Sequence, residues 1–213
     1  MIILQRKYTT KMNPTNKPFN IIWLPEAEST NRSVRERIDG CDNMSVIAAV
    51  EQTAGRGQGS NTWFATKGLN LTFSFLYRPL KLGTDNILLI TCATTLGIRD
   101  YLLGHGIEAD IKWPNDIWVK GRKICGILIE NILEGRQIQS SIIGVGFNLN
   151  QMEWPSDLPN PVSLKQLTGR HYSPESELEA LMDKICRRFA QVDSCDGRPL
   201  LQEEFEKNLI RLA

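Results

Sequence analysis

Gln137-Ile-Gln-Ser-Ser-Ile-Ile-Gly-Val-Gly-Phe-Asn-Leu-Asn150 is the stretch from which the fold of this chain can be read. Successive side chains of a strand point to opposite faces. Ser141, Ile143, Val145, Phe147 and Leu149 therefore share one face, and Ile142, Gly144, Gly146, Asn148 and Asn150 share the other. The first face is bulky enough to lie on a core. The second is cleared by glycines, which in a strand mark either a bulge or a place where a ligand or another backbone comes close, and the strand alone does not choose between them.

Working outward, Lys120-Gly-Arg122 is a turn between two apolar runs within residues 110–130, and Glu134-Gly135 is a second turn. Three consecutive strands in an antiparallel meander are expected, the last running from about residue 137 to 148. Leu71, Phe73, Phe75 and Tyr77 alternate with Thr72, Ser74 and Leu76 in another strand, ended by Arg78-Pro79, and residues 45–51 and 19–24 are also strand-like. Helical spacing appears in four places. Val34 and Ile38 follow a potential N-cap at Ser29 or Thr30, and Leu89, Cys92, Leu96 and Leu103 form one stripe within residues 85–104. Ser173-Pro174 supplies an N-cap and a first-turn proline ahead of Leu178, Leu181, Ile185, Phe189 and Val192, and a last helix from about residue 199 carries Leu200, Phe205 and Leu209. A short helix is expected at residues 163–167. The predicted class is α+β, with a mixed, largely antiparallel sheet flanked by helices.

The chain has 213 residues, 41% of them hydrophobic and 23% charged, enough for one sizeable core. Residues 19–213 are read as one catalytic domain and residues 1–18 as a flexible extension. With a net charge of +1 and no long basic block, bulk attraction to nucleic acid or to an anionic membrane is not expected. The five cysteines are scattered without a C-x-x-C pair, which argues against a disulfide framework or a structural zinc site and for a reducing, cytoplasmic setting. No apolar run of membrane-spanning length and no signal peptide are read.

The chemistry is concentrated in Glu51-Gln-Thr-Ala-Gly-Arg-Gly-Gln-Gly-Ser-Asn-Thr-Trp63. Glycines at 55, 57 and 59 let backbone N–H groups turn inward, and Arg56 adds a fork of donors suited to phosphate or carboxylate. A plain glycine hairpin is the alternative, but the connection is longer than such hairpins need. The spacing fits neither the dinucleotide fingerprint nor a P-loop. Lys112 and Lys123 sit among apolar residues, as lysines facing a cleft do, and Asn115-Asp116 is a turn pair whose carboxylate can also hold a divalent ion beside phosphates. An anion loop with two sheltered lysines, and no nucleophile–histidine pair, points to nucleotidyl or phosphoryl transfer run by positioning and charge stabilisation.

Five motifs, in order over roughly residues 20–150, resemble the signature of biotin protein ligases. They are Glu28-Ser-Thr-Asn31, Gln52-Thr-Ala-Gly-Arg-Gly57, Lys112-Trp-Pro-Asn-Asp116, Arg122-Lys-x-x-Gly-Ile-Leu128 and Gly144-Val-Gly-Phe-Asn-Leu-Asn150. The resemblance implies a class II aminoacyl-tRNA synthetase/biotin ligase-like fold and a two-step reaction. Biotin and ATP, with Mg²⁺, form biotinyl-5′-adenylate, and a lysine of a carboxylase's biotin carboxyl carrier domain then accepts the biotin. It implies that Ser29, Thr30, Asn31, Gln52, Gly55, Gly126, Gly144 and Gly146 shape the biotin pocket, and that Arg56, Gly57, Gln58 and Lys123 face the adenylate. Trp63, Lys112, Asn115 and Asn148 fall to ATP, Asp116 to the metal, and Arg56, Lys112, Asp116 and Lys123 to catalysis. A monomer or homodimer without DNA or membrane partners is implied, since no helix-turn-helix segment precedes Phe19, and many relatives continue past the equivalent of Ala213 into a small β-barrel.

One departure matters. The family's loop commonly runs Gly-Arg-Gly-basic-x-Gly, whereas Gln58 stands at the basic position and Gly59 comes one place early, which implies weaker retention of the adenylate. Two other readings are a lipoate–protein ligase, argued against by the absence of an Arg-Arg-x-x-Gly-Gly-Gly stretch, and a non-catalytic biotin- or nucleotide-binding module, argued against by the intact Lys112, Asp116 and Lys123 set.

Overall fold

The face expected on a core is on one: Ile143, Val145, Phe147 and Leu149 are all buried in the computed structural model, which describes residues 17–210. Most of the expected 1–18 extension and residues 211–213 lie outside the described residues. In chain order the elements are β1 (Ile21–Leu24), α1 (Thr30–Arg35), β2 (Val46–Ala49), β3 (Leu71–Tyr77), α2 (Leu88–Gly104), β4 (Asp110–Lys112), β5 (Asp116–Val119), β6 (Arg122–Glu134), β7 (Gln137–Phe147), α3 (Leu164–Thr168), α4 (Pro174–Val192) and α5 (Gly197–Lys207). The strands form one sheet in the order β1-β2-β3-β7-β6-β5-β4, with β1 and β2 parallel and every other neighbour antiparallel. The expected mixed, largely antiparallel sheet is therefore present. The first strand of the expected meander is two strands, β4 and β5, because Trp113-Pro-Asn115 turns the chain back on itself.

One face of the sheet carries α2, α4 and α5. Phe73, Phe75, Val145 and Phe147 from the central strands meet Leu89, Cys92, Leu96, Leu178, Leu181, Ile185 and Phe189 in a single cluster. Each fully buried large apolar side chain contributes about 1.5–3 kcal/mol, so this layer dominates stability. The helices approach closely: a Cβ on Gly97 would lie 2.7 Å from the Ile185 Cα, so only glycine permits this crossing. The hydroxyls of Thr94 and Thr95, buried in α2, donate to the carbonyls of Ile90 and Thr91, so no polar group is stranded there. Residues 84–104 are, by length and composition, apolar enough to cross a membrane, which the sequence reading did not find; 61% of the apolar 18-residue window within that stretch is buried within the fold.

Two stripe residues were misplaced. Leu103 and Leu200 are each 62% exposed. Leu103 lies in the last turn of α2, and α5 starts earlier than expected, at Gly197, so Leu201 turns inward with Phe205 instead. Leu209 lies beyond α5, where it bridges Ile111 of β4. The short helix near residue 163 is present as α3, closed by a capping box between Ser163 and Gln166. Pro174 opens α4 behind its Ser173 cap.

Candidate active site

The opposite face of the sheet has a hole in it, two strands wide. Gly126 of β6 lies directly across from Gly146 of β7, and Gly144 sits one pleat further along between Leu128 and Ser74. The register is unbroken there, so the bulge reading of these glycines falls and the close-approach reading holds. The approaching groups include the protein's own side chains. A Cβ on Gly146 would overlap the Trp63 indole, one on Gly126 would come within 2.9 Å of the same ring, and one on Gly144 would strike the Asn31 amide. Around this floor is a cavity of about 420 Å³, within the usual range for small-molecule sites.

A polar network forms one end of the cavity. Gln52 Oε1 accepts from the Thr30 N–H at 2.8 Å and from the Thr30 hydroxyl at 3.2 Å, which is linked in turn to Ser74 Oγ at 2.7 Å. Ser74 donates to Asn31 Oδ1 at 2.6 Å, and Asn31 Nδ2 donates to Glu130 at 2.9 Å. The expected side-chain cap of α1 is absent: Ser29 occupies the N-cap position without a capping bond, and Gln52 satisfies the first N–H instead. The Ser29 hydroxyl, in the cavity wall, is left to other partners. Held in a chain of bonds, these short side chains keep single rotamers, as recognition of a neutral polar group requires.

Cationic and amide groups line the other end. Lys123 Nζ lies 2.8 Å from Asp116 Oδ1 and 5.7 Å from the centre of the Trp63 ring. A two-residue period would send Lys123 and Gly126 to opposite faces, yet the β5–β6 register slips by one residue at Ile117/Trp118, and both meet the cavity. The strand there is held by the loop at residues 160–162: Lys123 N–H donates to Asn160 O at 2.8 Å and Val162 N–H to Lys123 O at 2.9 Å. Asn148 directs Nδ2 to the carbonyls of Lys123 and Val162, which leaves its buried Oδ1 without a partner. Asn115 likewise spends Nδ2 on Ile127 O. Both amides thus keep an acceptor free. Among the described residues no three His, Cys, Asp or Glu side chains gather into a metal site.

Two predicted residues stand outside the lining. Lys112 does not face the cavity; its ammonium rests over the Trp118 ring at 4.1 Å from the centre, where the indole face compensates the charge. Gly55 is not part of the wall either, and its role is local: a Cβ there would lie 2.5 Å from Trp63 O, whose residue returns an N–H to Gly55 O at 3.0 Å. Cys125 is buried behind the floor, and burial pushes its thiol well above the ordinary range, so it is no nucleophile.

The glycine loop is a hairpin after all, the reading the sequence argument had weighed down. Arg56 pairs with Thr62, Gly57 N–H donates to Asn61 O at 2.8 Å, and Gly59 turns the tip with φ of 65°. Its first strand places Arg56, Gly57 and Gln58 in the wall, with Trp63 at its foot. Arg56 is not free: its Nη2 lies 3.2 Å from both oxygens of Glu130. Glu130 was invisible in the sequence because a charge near the end of a long strand reads as a solvated face. The wall formed by Trp154, Leu158, Pro159 and Pro161 was also missed, because Pro-rich loops carry no periodic signal. Ser74 had a faint one, as a hydroxyl in a strand that is buried on both faces.

Comparison with other proteins assigns this geometry a lineage. Residues 23–148 match the Biotin/lipoate A/B protein ligase family. The bifunctional ligase/repressor BirA of Bacillus subtilis is 35% identical over 159 residues, covering 70% of this chain and 47% of that protein. The biotin–[acetyl-CoA-carboxylase] ligase of Paracoccus denitrificans is 31% identical over 186 residues, covering 83% and 76%. The chain thus spans about half the length of the bifunctional relatives and three quarters of the other. Among solved structures, the biotin protein ligase of Aquifex aeolicus in complex with biotin and ATP superposes with a TM-score of 0.76 at 25% identity, over 91% of this chain and 79% of that one. That of Leishmania major in complex with biotinyl-5-AMP gives 0.73 at 25%, over 91% and 84%. The matching stretch contains every cavity element from α1 to β7, and the chain is a member of the Biotin/lipoate A/B protein ligase family.

Proposed function

We propose that this chain is a biotin–protein ligase, which activates biotin as biotinyl-5′-adenylate and transfers it to a lysine of a biotin carboxyl carrier domain. One observation carries the reading. A single cavity joins a neutral polar end, at Ser29, Thr30, Asn31 and Gln52, to a cationic end at Lys123, with Arg56 at its rim, across a floor cleared by Gly126, Gly144 and Gly146. Biotin has that shape, a neutral ureido head and an anionic tail. The complexes of relatives with biotin, ATP and biotinyl-5-AMP support it.

In the first step a biotin carboxylate oxygen bonds to the α-phosphorus of ATP and the bond to pyrophosphate breaks. Two anions must meet, so donors that hold developing charge do the work: the Lys123 ammonium and the Arg56 guanidinium. No side-chain nucleophile is needed. Asn148 Oδ1, buried and unpartnered, is placed to accept from an amino group of the base, and Trp63 supplies an aromatic face on the floor. A magnesium–nucleotide fits the donor set, since Mg²⁺ takes one or two carboxylates and completes its shell with phosphates and water; Asp116 would hold it, and the ion would neutralise phosphate charge. Lys112 has no direct part in this geometry. In the second step the carrier amine attacks the mixed anhydride, AMP leaves, and Asp116 is the nearest carboxylate to take the amine's proton.

We propose residues 19–213 as the catalytic domain and expect it to work in a reducing, cytoplasmic compartment, which suits its five free cysteines. Transfer of labelled biotin to a carrier domain, with pyrophosphate release read in parallel for biotin and for lipoate, tests the reading. Release and transfer with biotin alone are expected. Turnover with lipoate in preference to biotin, or binding without release, would overturn it.

A further inference from the structure

Glu130 lies at the junction of the two ends of the cavity but is not part of its wall. One carboxylate meets three partners: Arg56 Nη2 at 3.2 Å from both oxygens, Asn31 Nδ2 at 2.9 Å, and Arg35 at 3.7 Å. Asn31 accepts from Ser74 on its other side, and Ser74 is linked to Thr30, so the carboxylate anchors the polar network as well as the loop arginine. The two attachments differ in kind. The bond to Asn31 is short and part-buried, whereas both Arg56 contacts are long, share one nitrogen, and involve a guanidinium side chain 49% exposed. An exposed pair of that geometry exchanges partners easily.

We propose that Glu130 is a positioning residue that holds Arg56 at the cavity rim until a phosphate replaces it as the guanidinium's partner, while it keeps Asn31 fixed throughout. The idea rests on the ligase reading above for its phosphate. When Arg56 leaves, the carboxylate retains Asn31 and has Arg35 as counter-ion, so no charge is stranded and the exchange costs little. The guanidinium thereby starts from a defined position beside the cavity, and the loop backbone that carries it is left to order when the phosphate binds. Glu130 in turn competes with ATP for the same donor.

Glu130→Gln keeps an acceptor for Asn31 and removes the competing charge. ATP should then bind about two- to fivefold more tightly by titration calorimetry, read with an ATP analogue that cannot release pyrophosphate, and biotin affinity should stay within about twofold. Loss of structure would not produce such a gain. In an Arg56→Ala background the same substitution should leave ATP affinity unchanged, and Glu130→Ala, which removes the Asn31 anchor too, should weaken biotin as well. Unchanged or weaker ATP binding in Glu130→Gln, or an equal gain without Arg56, would overturn the proposal. The ligase reading is checked separately by pyrophosphate release from the unaltered protein, and ATP that binds without that release would sink the reading while the Glu130 test still stands.

Discussion

On the helix-covered face of the sheet, Arg188 donates to both oxygens of Asp100 at 2.6 and 2.8 Å and to both oxygens of Glu204 at the same two distances, with its side chain 14% exposed. Arg56, on the cavity face, meets one carboxylate through one nitrogen at 3.2 Å and is 49% exposed. The bond to Asp100 holds the Arg188 guanidinium more firmly protonated than usual despite its burial. Two carboxylates arranged around a fork make a clamp that ties α2, α4 and α5 together. A single carboxylate at long range makes a resting place. The same residue type serves architecture on one face and a movable charge on the other, and the difference lies in how many anions surround it and how much water reaches it.

The largest test of that contrast removes the movable charge. Arg56→Ala should slow adenylate formation by about 10²–10³, the scale of losing one preorganised donor, while biotin affinity changes far less. Unchanged pyrophosphate release would show that Arg56 is only a loop residue. Lys123→Ala comes next: loss of a charge-assisted contact should weaken a biotinyl-adenylate analogue by about 1.5–3 kcal/mol in titration calorimetry. Wild-type affinity would return Lys123 to the role of Asp116's ion-pair partner.

Arg188→Leu should lower stability by about 1.5–3 kcal/mol, less than a fully buried pair would lose, because water can reach the abandoned Asp100 and Glu204. Denaturant unfolding reads the loss, and the activity of the folded fraction should persist; a selective loss of activity instead would break the division between the two faces. Gly146→Ala should cost about 1–3 kcal/mol of biotin binding, because the added methyl displaces the Trp63 indole. Unaltered binding would mean that the indole gives way freely.

The smallest effect concerns residues 54–62. Their hairpin is held by few bonds and no apolar anchor before Trp63, so amide hydrogens there should exchange quickly in the empty protein and slow with biotin plus ATP. Equal protection in both states would rule out a closing loop. Slow adenylate release in spite of Gln58 would remove the leak expected from its missing charge.

Much of this site was legible in the sequence because the signals were local. The period of two in residues 141–149 identified both the core face and the cleared face of β7, and Ser173-Pro174 marked the start of α4. Residues 29–31, 52, 56–58, 144–146 and 148 came out in one cavity because each motif sits at an element end or a glycine gap that the strand order gathers. Lys112 was misread because a lysine between two apolar residues looks alike over an indole and over a cleft.

By itself, then, the sequence determined the α+β class and the glycine floor and picked out the loop that lines the cavity, since these depend on backbone freedom and on side-chain alternation within a few residues. Tertiary structure alone decided which charges face one another. A one-residue slip between β5 and β6 turned Lys123 to the side of Gly126 and set it against Asp116, and Glu130 found Arg56, 74 residues away, because α1, the hairpin and β6 converge there. Pairing across such distances is set by register and strand order, which no local pattern encodes.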